Sequence, residues 1–167
     1  MELTPRIKEF IEHYIHLIEN NKFNELYVEA EKYLPKEDIH ILTECLIDPK
    51  VGCKVLSNMR YVPKYYLATN TTITEIELPD SIEIVRARAF DKCINLEEVI
   101  LPESVVVVDA YAFSSCYSLK KLVDKNPDTS FTLLSTVQSN KVEVYCKPGS
   151  KVEEYAKEVW HYPVHHI

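Results

Sequence analysis

Histidines near the C-terminus are the first side chains of this chain that could carry chemistry. His161, His165 and His166 stand in an HxxxHH spacing that superficially resembles a set of zinc ligands. The alternative, which we favour, is a frayed tail beside Pro163. The spacing of the remaining residues indicates no Ser/His/Asp or Cys/His arrangement for nucleophilic catalysis. We therefore expect no catalytic residue, no metal site and no cofactor.

The five cysteines are the second group of reactive side chains. Cys93 and Cys116 hold the same place in two matching segments, so we predict that they form a buried ladder of small apolar side chains. A disulfide between two side chains that point in parallel has poor geometry. Cys45, Cys53 and Cys146 show no CxxC spacing and predict no zinc site. Unpaired cysteines are typical of a reducing compartment.

Glycine content and charge argue against several other kinds of site. Gly52 and Gly149 are the only glycines, so the chain cannot build a glycine-rich phosphate loop. The net charge of −7 disfavours direct nucleic-acid binding, which needs clustered Lys and Arg, and fits a partner protein with a basic surface. No apolar run approaches the ~20 residues of a membrane span. The charged, amphipathic N-terminus is unlike a signal peptide, so we expect a cytoplasmic protein without a membrane partner.

An internal repeat must position these side chains. Residues 73–95 read ITEIELPDSIEIVRARAFDKCIN, and the next segment, residues 96–118, reads LEEVILPESVVVVDAYAFSSCYS. The matching pairs all fall at one constant offset: Ile73/Leu96, Ile76/Val99, Leu78/Leu101, Pro79/Pro102, Ser81/Ser104, Ile82/Val105, Val85/Val108, Ala89/Ala112, Phe90/Phe113 and Cys93/Cys116. A period of about 20–29 residues with Leu, Ile and Val at fixed places is typical of a leucine-rich-type solenoid, whose coils must stack to bury their apolar edges.

The repeat also predicts which side chains point into the core. In LEEVILP, Val99 and Leu101 would point inward while Glu98 and Ile100 point outward, because side chains alternate along a strand. We expect the AYAF segment to be one short helical turn that inserts Phe113, so that Phe90 and Phe113 stack in a ladder. Weaker echoes place Val62 before Val85 and Phe131 after Val108, which predicts two clear coils between two degenerate ones.

The outward side chains of successive strands form a surface that we call the strand face. Its predicted members are Glu75, Glu77, Glu98, Ile100, Lys121, Val123 and, in a last coil of less certain register, Glu143 and Tyr145. This face would grade from acidic to basic, with an exposed apolar strip through Ile100 and Val123. An apolar strip on a flat sheet indicates a contact site for a partner protein. The alternative is a solvated face with two isolated apolar residues.

Helical patterns flank the solenoid at both ends. Residues 1–50 predict three helices: one that begins after Thr4 as N-cap, one near Phe23–Leu34 and one near Glu37–Ile47. This region would cap the first coil, either as a cap alone or also as an acidic partner-binding arm. Residues 51–149 would form the solenoid. In residues 150–167, Ser150-x-x-Glu153 predicts a capping box and a helix through Trp160 that closes the last coil. The apolar side of that helix would comprise Val152, Tyr155, Ala156 and Val159.

The repeat resembles the BspA-like leucine-rich repeat family, whose unit is roughly L-x-x-I-x-I-P-x-S-V-x-x-I-G-x-x-A-F-x-x-C. Residues 73–123 match this unit, and VEVYCKPGSKVEEYAKEVW resembles the family's closing cap. The chain departs from the unit at Arg86 and Asp109, where the family usually has glycine. The resemblance implies an α+β fold: a short leucine-rich-repeat solenoid with a parallel β-ladder, a helical N-terminal cap and a C-terminal capping helix. It implies no catalytic residues.

Two classes of function follow from these observations. Members of the resembled family act mostly as adhesins or interaction modules, and similar short versions with a helical N-terminus occur in phage and prophage genomes. Together with the acidity, this favours a non-enzymatic intracellular module that binds or inhibits a host protein with a basic surface, such as a phage-encoded anti-defence protein. The alternative is a secreted or surface adhesin fragment. An enzyme is the third and least favoured option.

Overall fold

Two parallel sheets run side by side along the repeated part of the chain. The computed structural model describes residues 4–19, 22–39, 42, 56, 59–132 and 142–167. The first sheet contains β1 (Tyr61–Val62), β3 (Ile84–Val85), β5 (Val107–Val108) and β7 (Ser130–Phe131). The second contains β2 (Glu75–Glu77), β4 (Glu98–Leu101), β6 (Lys121–Asp124), β8 (Glu143–Cys146) and β9 (Val164–His166). The predicted α+β solenoid with a parallel ladder is confirmed.

The register of the strands follows the repeat until the last coil. Val62 pairs with Val85 and Val108 pairs with Phe131, each one full repeat further along the chain, as the weak echoes predict. The step from Lys121 to its partner Glu143 is shorter by a single position than the step from Glu98 to Lys121. Strand pairing thus depends on aligned backbone hydrogen bonds even where the sequence period is broken.

Inward side chains of successive coils stack into an apolar core. Phe90 and Phe113 are both buried, and their rings are parallel within 2° with centroids 5.2 Å apart. The predicted phenylalanine ladder is therefore confirmed. Cys93 and Cys116 are buried and free, as predicted. Cys45 and Cys53 lie outside the described residues.

The AYAF segment differs from the expected helical turn. Residues 87–92 and 110–115 form hydrogen-bonded turns, in which Arg88, Lys92, Tyr111 and Ser115 have left-handed φ angles between 57° and 61°. A left-handed residue every fourth position interrupts helical geometry, and the amides bond to the next coil instead. The N–H of Phe90, for example, donates to the Ala112 carbonyl at 2.8 Å. The repeat unit usually has glycine at the positions of Arg86 and Asp109. The first left-handed residue of each turn, Arg88 or Tyr111, comes two residues later.

The N-terminal helices are α1 (Pro5–Glu19) and α2 (Phe23–Tyr33). Thr4 caps α1, because its Oγ1 accepts the N–H of Ile7 at 3.3 Å. The helices bury Ile7, Phe10, Ile11, Leu17, Leu26 and Ala30, which belong to the same hydrophobic cluster as the solenoid core. Residues 36–39 are helical, and most of the predicted third helix lies outside the described residues. Neither the described α1 nor α2 is long and apolar enough to cross a membrane.

The C-terminal helix begins as the capping box predicts. Ser150 Oγ accepts the N–H of Glu153, and α3 (Lys151–Tyr155) follows. The chain then widens into a π-helical turn over Ala156–Trp160. Because a π-turn shifts the side-chain register, Trp160 packs against Phe131 with ring centroids 5.3 Å apart, whereas Val159 is 48% exposed. The prediction that Val159 lies on the apolar side is wrong.

The expected frayed tail is also wrong, because residues 164–166 form β9. The N–H of Val144 donates to the Pro163 carbonyl at 2.9 Å, and the N–H of Ile167 donates to the Cys146 carbonyl at 3.1 Å. Main-chain hydrogen bonds at both ends of β9 therefore hold the tail against β8. No group of three or more potential metal ligands occurs in the part of the chain that the structure describes.

Candidate interaction surface

The strand face consists of two adjacent rows of outward side chains. One row contains Glu75, Glu98, Lys121 and Glu143, and the next contains Glu77, Ile100, Val123, Tyr145 and His165. All the residues predicted from the sequence thus share one face, including Glu143 and Tyr145, whose register was uncertain. Between these rows the side chains of Ile76, Val99, Leu122 and Val144 point inward and are buried.

Ion pairs neutralise part of the strand face. Lys121 Nζ lies 2.8 Å from Glu98 Oε1, and this hydrogen bond raises the pKa of Lys121. Lys125 Nζ lies 3.4 Å from Glu77 Oε1, which belongs to a strand two coils earlier. The expected gradient from acidic to basic is therefore replaced by pairs of opposite charge. Glu75, on the edge strand β2, is exposed and has no ion-pair partner among the described residues.

The apolar strip is less exposed than expected. Val123 lies on the strand face, but only 8% of its surface is accessible. Its neighbours Ile100 and Tyr145 stand on the flanking strands, about 4.8 Å away on each side, and cover it. Ile100 itself is half-buried. The prediction that Val123 forms part of an exposed apolar contact is wrong.

Tyr145 is the centre of a compact polar and aromatic cluster. Its hydroxyl donates to Glu143 Oε2 at 2.9 Å, and this hydrogen bond raises the pKa of Tyr145. Its ring stacks on His165 with centroids 4.7 Å apart, and Lys121 Nζ lies 5.3 Å from the ring centroid. A large amphipathic ring beside charges of both signs is a common anchor in protein interfaces. Tyr145 therefore offers the strand face a rigid contact point.

Sequence reasoning missed His165 because it treated the tail as frayed. The sequence contains a weak signal for this pairing, because Val164-His165 repeats the order of Val144-Tyr145, an apolar residue followed by an aromatic one. The step between these two pairs is, however, shorter than the repeat. A second missed feature is a pair of cation–π contacts beside the first sheet. The guanidinium of Arg86, directly after β3, lies 5.4 Å from the ring centroid of Tyr61 on β1. The guanidinium of Arg88 lies 5.0 Å from the ring centroid of Tyr111, and both of these residues belong to the turns that follow the strands.

The buried thiols are poorly suited to nucleophilic chemistry. Cys93 Sγ–H donates to the Leu67 carbonyl at 3.1 Å, and Cys116 Sγ–H donates to the Phe90 carbonyl at 3.2 Å. Burial raises the pKa of the Cys93 thiol far above its usual range and that of Cys116 to about 12. Both thiols stay protonated at neutral pH, and a thiol is a much weaker nucleophile than a thiolate.

Comparison with known protein families agrees with the stacked coils. Residues 53–140, just over half of the chain, match the family model described as "BspA type Leucine rich repeat region (6 copies)". The chain belongs to this BspA-type leucine-rich repeat family. Repeat solenoids of this kind typically serve as non-enzymatic scaffolds that bind other proteins. Neither the curated proteins nor the solved structures contain a significant match.

Proposed function

We propose that this BspA-type solenoid is a cytoplasmic protein that binds and inhibits a host protein with a basic surface, and that the strand face makes the contact. A phage-encoded protein that blocks a bacterial defence protein would have this activity. The observation that carries the proposal is the charge of the strand face. Four carboxylates, those of Glu75, Glu77, Glu98 and Glu143, share the surface with the amines of Lys121 and Lys125.

The most accessible part of this negative charge lies at the β2 end. Glu98 is held by Lys121 at 2.8 Å, whereas Glu75 and Glu77 are both exposed on β2, the first strand of its sheet among the described residues. Among the ion pairs of the strand face, that of Glu77 with Lys125 is longer, at 3.4 Å, and exposed. Exposed carboxylates steer a basic partner and raise its association rate more than they raise affinity. Such steering weakens with salt, because the Debye length falls to about 8 Å at physiological ionic strength. Tyr145, at the other end of the face, would provide the desolvated anchor.

The test compares two double variants with the same change in net charge. One carries Glu75→Lys and Glu77→Lys on the strand face, and the matched control carries Glu154→Lys and Glu158→Lys on exposed positions of the C-terminal helical segment. Partners would be captured from host lysate with wild-type protein, identified by mass spectrometry and measured with both variants at low and high salt. Glu98 is left intact, because its 2.8 Å pair with Lys121 is partly buried, whereas the 3.4 Å pair of Glu77 with Lys125 is exposed and contributes little to stability.

We expect the strand-face variant to lose binding at least tenfold and the control variant to stay near wild type. The association rate of the wild type should fall as salt is raised. Equal binding by wild type and the strand-face variant would refute the proposed contact. Capture of extracellular proteins alone would instead favour a secreted or surface adhesin.

The α1–α2 surface is the second place where a partner could bind. A groove of about 450 Å³ lies between the two helices and is lined by Tyr14, His16, Leu17, Glu25, Val28 and Glu29. Val28 and Tyr33 are exposed on this surface. If the strand-face variant binds normally, substitutions at Val28 and Tyr33 would test whether the helices form a binding arm rather than only a cap.

A further inference from the structure

Asp124 occupies an inward position of the solenoid that is otherwise apolar. Strand pairing places it between Leu101 on β4 and Cys146 on β8, both of which are fully buried. Asp124 is 0% exposed. A carboxylate in such a place carries a large desolvation penalty unless a cation pairs with it. Among the described residues no Lys, Arg or His lies within ion-pair distance of Asp124.

The hydrogen-bond geometry around Asp124 accommodates a neutral acid. Thr129 Oγ1 lies 2.9 Å from Asp124 Oδ1 and also 2.9 Å from the Val105 carbonyl oxygen. A threonine hydroxyl has one hydrogen and cannot donate to both oxygens at full strength. If Asp124 is protonated, its O–H donates to Thr129, and Thr129 donates to Val105. Asp124 Oδ2 has no hydrogen-bond partner among the described residues, which is tolerable for a neutral acid and costly for a buried carboxylate.

This relay holds the connection between β6 and β7. The Asn126 N–H donates to Asp124 Oδ1 at 3.2 Å, and the Asn126 side-chain amide donates to the Val105 carbonyl at 2.8 Å. Residue 127 is tied to the C-terminal cap, since the Lys151 N–H donates to the Pro127 carbonyl at 2.9 Å. The connection leads into β7, whose Phe131 packs edge-on against Trp160 of the C-terminal cap.

We propose that the protonation state of Asp124 controls the packing of residues 125–131. The neutral acid holds these residues against the coil formed by residues 96–118, and loss of its proton loosens them and the C-terminal cap that packs on them. Burial also raises the pKa of Asp124 to about 7, although the bonds from Thr129 and Asn126 lower it. The other titratable groups nearby are the Cys146 thiol on β8 and, beyond it, Glu153 with Lys157 and His166.

The direction of the effect follows from proton linkage. The pKa of Asp124 is raised on folding from 3.8 to about 7, so the native state binds more protons than the unfolded state between these values. The contribution of Asp124 to stability is then fully present below about pH 3.8 and is lost as pH rises through about 7. Between pH 5 and pH 8.5 the folding equilibrium constant should fall on the order of 10- to 100-fold.

The test compares wild type with Asp124→Asn, which keeps the shape and neutrality of the acid. Urea melts at pH 5 and pH 8.5 would be followed by the fluorescence of Trp160, the only tryptophan. All other ionisable groups are common to both proteins, so the difference between the two pH profiles isolates Asp124. We expect the wild-type folding constant to fall and that of the variant to change much less.

A second measurement needs no variant. Amide hydrogen exchange of the wild type, corrected for intrinsic rates, should show lost protection in the peptide 124–132 between pH 6 and pH 8, while the peptide 96–108 stays protected. Parallel pH profiles for wild type and Asp124→Asn, or unchanged protection of the 124–132 peptide, would overturn the proposal.

Discussion

Removal of the Phe113 ring should be one of the most destabilising single changes in the solenoid. The side chain is 1% exposed and stacks on Phe90 of the preceding coil. Truncation of a buried phenylalanine to alanine costs about 3–5 kcal/mol, which includes the lost transfer free energy and the cavity that remains. That is a large part of the about 5–15 kcal/mol by which a domain is stable.

Tyr111 provides the control for Phe113→Ala, because it belongs to the same turn but is 37% exposed. Its ring contacts the Arg88 guanidinium, and such a cation–π contact at an exposed site contributes about 0.5–1 kcal/mol. We expect Tyr111→Ala to lower the free energy of unfolding by about 1 kcal/mol or less. A severalfold difference between two residues so close in sequence would come mainly from burial.

The assay is urea unfolding of both single variants, of Phe90→Ala and of the double variant Phe90→Ala/Phe113→Ala. Beyond burial, a stacked aromatic pair contributes about 0.5–1.5 kcal/mol, so the double variant should lose less than the sum of the single losses. Unchanged m-values would show that the loss belongs to the native state. Equal losses for Phe113→Ala and Tyr111→Ala, or strictly additive losses for the two phenylalanines, would refute the ladder as an energetic unit.

Three further predictions concern the turns, the thiols and the cap. Lys92→Gly should stabilise the protein by up to about 1 kcal/mol in thermal melts, because glycine adopts the left-handed φ of 61° without strain; a loss of stability would contradict this. Cys93 and Cys116 should resist a thiol reagent at pH 8 in the native protein and react in urea, as read by peptide mass spectrometry; native labelling would show that the ladder opens. The Lys157 ammonium, with His166 and an amide N–H, lowers the pKa of Glu153 to about 2, so wild-type stability should be lost as pH falls from about 4.5 through 2. Glu153→Gln should lack this part of the acid dependence in urea melts, and an identical acid profile would argue against the role of Glu153.

Much of the solenoid could be predicted because its information is local and repeated. One constant offset between matching segments, together with alternation along a strand, places Glu75 above Glu98 and Phe90 above Phe113. Each coil packs between neighbours that are nearly identical to it. Equivalent side chains of successive coils therefore point in the same direction, inward or outward, once the register of one coil is known. The capping box at Ser150 could be predicted for a related reason, since it depends only on residues within one turn of helix.

The tertiary structure decided what depends on contacts between different coils or on steps that break the repeat. The pairing of Lys125 with Glu77 joins side chains two coils apart, and the burial of Val123 depends on the two strands beside it. His165 joins the strand face through a step shorter than the repeat, and the C-terminal helix ends in a π-turn whose Trp160 packs on Phe131 while Val159 is exposed. Asp124 takes a place that the repeat reserves for an apolar side chain, so its protonation depends on the packing around it. Periodicity determines where a side chain points, whereas its charge state and exposure depend on neighbours that the sequence does not place beside it.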